Sequence, residues 1–539
     1  MFKRLPILLA LVVTLALPFL FRTKQTNPLK ADETLVVITP HNEALRYEFG
    51  HGFSEWYKAH TGKTVNIDWR VIGGTSEINR FLEGEYDAAF KLYWTHTLNR
   101  AWSAEIQAGY KSQNLPIDTP IEVKEAREAF LRSNVGCGLD VFFGGGTPDF
   151  IKQAQAGRLV DSGVISRHPE WFGDDTIPQL YSGERYWDAH GLWIGVVLSN
   201  FGIVYNFDSL KRLGITGDLK QWTDLADPKL VGEVALADPT KSSSIAKAFE
   251  NLIQQQMQKR LEELRAARPE APIEELEPRA VNEGWIAGLR LMQLIGANSR
   301  YFTDTSQKPP IDVAQGNSAA GICIDFYGRQ QDEAIQRRAE KNRIRFIAPV
   351  GGTVNSVDPI ALFRGAEHRE LAISFMDYVL SMDGQKIWNF RPGTPGGPRH
   401  FALRRLPVRR DFYQHAEYKP LCSDPDDNPY DAAGQLVYRP AWTGSLFREM
   451  SFIIRVMTMD THSELTRAWR AIIAAGQPAD ALAVMQDLST VDLAATKGRV
   501  KQALNAKDKT EELRLSRELG EAFREQYRRA EELAKAKKR

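Results

Sequence analysis

The stretch TLVVITPHNE, residues 34–43, decides the architecture. Its first six residues are mostly apolar and β-branched and are closed by Pro40, which predicts a short buried strand. Leu45, Phe49, Phe53 and Tyr57 then recur every four residues, so a helix follows. VNIDW at 65–69 alternates and predicts a second strand, and GGTSE at 73–77 opens another helix through 78–82. Strand–helix–strand–helix order predicts an α/β fold with a largely parallel sheet.

The same order recurs downstream. DVFF at 140–143 reads as a strand, and GGGTPD at 144–149 leads into a helix over 150–156, with Thr147 as its N-cap and Pro148 at the first helical position. The β-rich stretch 191–205, broken at Ser199 and Asn200, is placed to cross between two lobes. Residues 234–237, 319–324 and 343–348 read as strands; a helix starts at Ile245, and 371–380 and 384–389 are helical. Polar segments near 107–132 and 254–283 read as surface insertions, the second carrying Pro269, Pro272 and Pro278.

A chain of 539 residues exceeds the roughly 250–300 that one core supports, so two or more cores are expected. The net charge of +1 excludes the basic excess of a nucleic-acid-binding protein. That total divides unevenly: the first 30 residues carry +5, residues 497–539 carry +6, and the body carries −10. Met1, Lys3 and Arg4 precede an apolar run at 5–21, so residues 1–31 read as a signal peptide or a membrane anchor. This places the body outside the cytoplasm, in a periplasmic or extracytoplasmic setting near the membrane. Residues 419–539 read as a helical, charged extension, ending in a solvated tail.

No H-E-x-x-H, G-x-S-x-G or C-x-x-C motif occurs, and the Gly62-Lys63-Thr64 triplet lacks the upstream glycine of a phosphate-binding loop. Cys137, Cys323 and Cys422 allow at most one disulfide. Nothing in the motifs calls for catalysis. What remains is five polar loops following strands, at 41–43, 73–77, 144–147, 240–244 and 325–327. Ligands of open α/β sheets bind beyond the carboxyl ends of strands, and helix starts suit anions. Thr147 and Ser243 are therefore candidate anion donors. His41, Glu77, Asp325 and Tyr327 are residue types that hold hard or borderline cations.

These loops fall inside segments that appear in family order: VVITPHNE at 36–43, DVFFGG at 140–145, GIVYN at 202–206, ALADPTKS at 235–242, GICIDFYGR at 321–329, GGTVNSVDP at 351–359 and SMDGQKIW at 381–388. In these the chain resembles extracytoplasmic solute-binding proteins of ABC transporters, of the ferric-ion-binding class, over about residues 34–413. The resemblance implies a two-lobe, type II periplasmic-binding-protein fold over 32–418 with hinge strands. It implies an interlobe cleft, a membrane permease as partner and no catalysis. It implies Fe3+ held with a synergistic anion, His41 and Glu77 matching the first two ligand positions. The family's adjacent tyrosine pair is Phe326-Tyr327 here, leaving Tyr327 as the one phenolate, with Asp325 beside it. Relatives of the class take phosphorylated sugars, aminophosphonates, thiamine or polyamines, and these are the alternative ligands. A hydrolase or a sensory protein on the same frame is the more distant alternative.

Overall fold

The computed structural model describes residues 31–338, 343–430, 436–506 and 509–537. The expected leader, including the apolar run at 5–21, lies outside them. Among the described residues no helix is long and apolar enough to cross a membrane.

Lobe 1 begins with strands β1 (Glu33–Ile38), β2 (Val65–Arg70), β3 (Val141–Phe143) and β4 (Leu159–Val160), followed by a two-stranded hairpin, β5 (Leu180–Tyr181) and β6 (Glu184–Arg185). The chain then runs through β7 (Ile194–Ser199) straight into β8 (Phe201–Asn206), which belongs to a different sheet. That second sheet adds β9 (Val234–Ala237), β10 (Ser299–Thr303), β11 (Ala320–Ile324) and β12 (Ile344–Ile347). The chain returns to lobe 1 with β13 (Ser356–Phe363) and β14 (Leu406–Pro407). Lobe 1 has the order β14-β7-β13-β3-β1-β2, with β4 beside β13; lobe 2 has β10-β9-β11-β8-β12.

The crossing read from the sequence at Ser199-Asn200 is therefore present. The largely parallel sheet is not. β1 is parallel to β2 and β3, but β13 runs antiparallel to β3 and β7. In lobe 2, β8 is antiparallel to β11 and β12. Strands that shuttle between lobes enter each sheet from its far end, so each sheet becomes mixed.

Three helices of lobe 1 point their starts at the interlobe space: α1 (Glu43–Thr61), α2 (Thr75–Leu92) and α3 (Thr147–Gln155). In α1, the Asn42 side chain accepts from the Leu45 N–H at 3.1 Å, and Leu45, Phe49, Phe53 and Tyr57 form the buried stripe. Gly146, not Thr147, caps α3; Thr147 is the first helical residue. The two flanking glycines make the turn, so the backbone needs no side-chain cap at that end.

Lobe 2 contributes α4 (Ser243–Ala267), α5 (Ile273–Asn298) and α6 (Asp325–Arg337). The segment expected to be a surface insertion near 254–283 is the tip of the α4–α5 hairpin, and Met257, Leu261, Leu264 and Leu276 are buried in it. A Cβ on Gly284 would lie 2.3 Å from the Met257 Cα, so the two helices touch backbone to backbone. The other expected insertion, near 107–132, likewise buries Tyr110, Val123 and Phe130 against lobe 1. Its apolar residues are spaced one helical face apart, which a polar average over the segment conceals.

The C-terminal extension is not a solvated tail. α7 (His462–Ala474) and α8 (Lys509–Lys537) share one continuous core with lobe 2, in which Trp469, Phe523 and Tyr527 are buried. The Tyr527 hydroxyl donates to the Met457 carbonyl and accepts from Gln293 Nε2, both at 3.0 Å. Charged residues of α8 occupy its outer face, in pairs such as Arg517–Glu521 at 2.9 Å. All three cysteines are free thiols.

Candidate functional site

The lobes enclose a cleft of about 1140 Å³. It is lined from lobe 1 by the starts of α1, α2 and α3, from lobe 2 by the start of α4 and by Phe326 and Tyr327, and from the extension by Tyr438 and Phe447. The lobes touch across it. The Thr75 and Ser243 hydroxyls are 2.9 Å apart, and Ser76 Oγ donates to the Thr240 carbonyl at 3.4 Å.

Of the residues expected from sequence, His41, Thr147, Ser243 and Tyr327 line this one cleft. Glu77 is not among the lining residues; its carboxylate accepts from Arg80 at 2.7 Å and sits against the Gly73–Gly74 turn at the edge of the cleft. Nor is Asp325. It is fully buried at the start of α6, its carboxylate without a hydrogen-bond partner and 3.9 Å from Arg329. Burial pushes the Asp325 carboxyl up to about 6, against the opposing pull of Arg329 and Arg405. Among the described residues, no three His, Cys, Asp or Glu side chains gather as a metal site would require.

Beneath the part of the cleft lined by His41, Ser199 and Asp358 lies Arg405, which the motifs did not single out. Arg405, without exposed surface, donates to Asp358 Oδ2 at 2.7 Å and to the Ser199 hydroxyl, and its Nη1 lies 3.5 Å from His41 Nε2. Its guanidinium also stacks 4.4 Å from the Phe326 ring centre. Its loop is fixed by Glu48 of α1, which accepts from the backbone N–H groups of Arg399, His400 and Phe401 at 2.5, 2.7 and 2.7 Å. Only folding brings residues 48, 199, 358 and 405 together.

This arrangement sets the charge states. Burial lowers the His41 pKa; Asp358, 3.7 Å away, opposes that, and Arg405 reinforces it. Burial alone would raise the Asp358 carboxyl, but Arg405 and His41 outweigh it and hold it low. A Cβ on Gly144, at φ +85°, would meet the His41 ring at 2.1 Å, so the loop after β3 needs glycine for both shape and space. Burial raises the Tyr327 phenol to about 12, opposed by the 3.0 Å hydrogen bond that its hydroxyl accepts from Gln307 Nε2.

The remaining charges largely pair. Lys241 meets Asp304 at 2.6 Å. Lys247 meets Glu184 at 2.7 Å and Glu250 at 3.0 Å, with its ammonium 3.4 Å from the Tyr438 ring centre. Burial would lower Lys247, but the two carboxylates outweigh it and raise it, so it stays charged. After these pairs, Arg46, Lys152 and Arg185 line the cleft with no carboxylate within ion-pair distance among the described residues, against the single unpaired Glu43. Against the upward push of burial, Lys111 holds the Glu83 carboxyl low, and Lys152 is near enough to help.

Two α/β lobes, strands that cross between them and a lined cleft at the lobe junction make a two-lobed frame with one enclosed site. Residues 144–396 match the family of bacterial extracellular solute-binding proteins, and this segment holds both crossings. An uncharacterized protein of Haemophilus influenzae is 25% identical over 248 residues, which is 46% of this chain and 60% of that protein. The chain thus spans about three fifths of that relative's length. A putative extracellular solute-binding protein from Bordetella parapertussis superposes with a TM-score of 0.47 at 15% identity, over 79% of this chain and 99% of that one. The ferric binding protein from Campylobacter jejuni gives 0.46 at 15% identity, over 77% and 96%. The periplasmic binding protein AfuA from Actinobacillus pleuropneumoniae, with fructose-6-phosphate bound, gives 0.43 at 16%, over 66% and 82%.

Proposed function

We propose that the protein is the solute-binding component of an ABC importer, acting outside the cytoplasm and delivering a small organic anion to a membrane permease. It binds and releases without turnover. The observation that carries the ligand class is the set of unpaired cations Arg46, Lys152 and Arg185 around a cleft into which α1, α2, α3 and α4 point their positive ends. The buried, partnerless Thr147 hydroxyl adds a further donor at that end. Capture favours the closed state because the anion contacts both lobes at once.

A ferric ion with a synergistic anion is the second reading, favoured by His41 and Tyr327 lining the same cleft. The Arg405 guanidinium 3.5 Å from His41 Nε2 opposes a trivalent cation at that nitrogen, and this weighs toward the organic anion. Calorimetric titration with a hexose phosphate, an aminophosphonate and ferric citrate separates the two. Saturable binding of a phosphorylated compound, weakened at least tenfold by Arg46→Ala with Lys152→Ala, is expected. Iron-dependent absorbance lost in Tyr327→Phe, with no organic anion bound, would overturn the reading.

A further inference from the structure

The anion reading does not account for the apolar side chains of the cleft, which stand among its cations: Ile151 is next to Lys152, and Leu180 pairs with Arg185 across the β5–β6 hairpin. Val71, Ile151 and Leu180 all line the cleft, and all three are exposed, at 45%, 39% and 63%. They come from three separate places in lobe 1: the loop after β2, helix α3 and the β5–β6 hairpin. Phe447, partly buried, faces the same space from the C-terminal extension. It lies beyond the residues matched to the solute-binding family. The cleft's volume of about 1140 Å³ is at the upper end of what ligand pockets enclose, far more than a bare phosphate or metal ion fills. Exposed apolar side chains converging on one cavity, rather than scattered singly, mark a recognition surface.

Resting on the anion reading, we infer that the solute is amphiphilic: an anionic group beside the helix starts, joined to an apolar body of at least aromatic-ring size that packs against Leu180, Ile151 and Phe447. The extension then has a recognition role as well as a structural one, because it supplies the wall that the two lobes lack. The hairpin is held to that wall by the Tyr438 N–H, which donates to the Ser182 carbonyl at 2.9 Å. Leu180 and Phe447 are therefore parts of a single subsite built from segments more than 260 residues apart.

The test is calorimetric titration of the full chain with methyl phosphate and with phenyl phosphate, which differ only in the apolar body. Phenyl phosphate is expected to bind at least tenfold more tightly. Leu180→Ala, at an exposed position that unfolding cannot confound, is expected to cut that preference at least threefold, and Phe447→Ala likewise. Equal affinities for the two esters, or a preference untouched by Leu180→Ala, would overturn the inference while leaving the anion reading intact. Binding of neither ester would overturn both.

Discussion

The hydroxyls of Thr75 and Ser243 stand 2.9 Å apart across the cleft, one in the first turn of α2 and the other in the first turn of α4. This is a direct polar contact between the lobes, and it belongs to the closed state. Thr75→Val with Ser243→Ala removes it, at a cost of about 1 kcal/mol to closure. Phenyl phosphate affinity should fall about fivefold, and small-angle scattering should report a larger radius of gyration for the free protein. No change in either would assign the contact no role in closure.

Arg405 is buried against Asp358 and the His41 ring. Arg405→Met strands a mostly buried carboxylate and should lower the unfolding free energy by about 3–5 kcal/mol. Arg405→Met combined with Asp358→Leu removes both charges and should recover most of that loss, measured by urea titration. If the double variant is as unstable as the single, the charge pair is not the cause.

Asp325 provides a pH test. Its folded pKa of about 6 lies above the ordinary 3.8, so the native state binds the proton more tightly than the unfolded chain does. The group's contribution is therefore fully favourable below pH 3.8 and is lost as pH rises through about 6. Asp325→Asn should stabilise the protein by about 2–3 kcal/mol at pH 8 and by little at pH 4. An equal effect at both pH values would place the carboxylate in a solvated setting.

The extension should unfold together with lobe 2. Tyr527→Phe removes the hydroxyl that links Gln293 to Met457, and about 1 kcal/mol of stability should go with it. Deleting residues 509–537 uncovers the faces beneath Phe523 and Tyr527 and should lower the single thermal transition, not abolish a separate one. Two independent transitions in the full chain would make the extension a domain of its own.

Much of this architecture is legible locally. The β1 run, its closing Pro40 and the fourfold spacing after it place His41 at a strand end, where the cleft is. The Ser199-Asn200 break gives the crossing. Arg405 is not legible, because its partners Asp358, Ser199 and His41 are set by sheet pairing and a loop clamp far from it in sequence. Asp358 lies within a family-like motif, yet nothing in the motif says that a guanidinium will sit beneath it. The α4–α5 tip was obscured because Met257, Leu261 and Leu264 sit one per turn in a strongly charged background. Glu77 matches a ligand pattern by position, but its pairing with Arg80 one helical turn on is a local contact that the pattern does not announce.

The strap that leads into the extension has a mechanical consequence. The Tyr438 N–H is bound to Ser182 of lobe 1, and the next residue, Arg439, donates its N–H to Gln254 of lobe 2 at 2.9 Å. Adjacent Cα atoms are about 3.8 Å apart, so the lobes cannot separate at this point while both bonds hold. The β7–β8 junction at Asn200 is a second such point. The return from β12 to β13 crosses beside this second point, where the Phe201 N–H donates to the Thr353 hydroxyl at 3.0 Å. The links therefore gather at two places and leave the lobes one rotation about the line between them, like a door on two hinges. Two lobes confined to one swing have less orientational freedom to lose on closing than two hung on a single flexible joint.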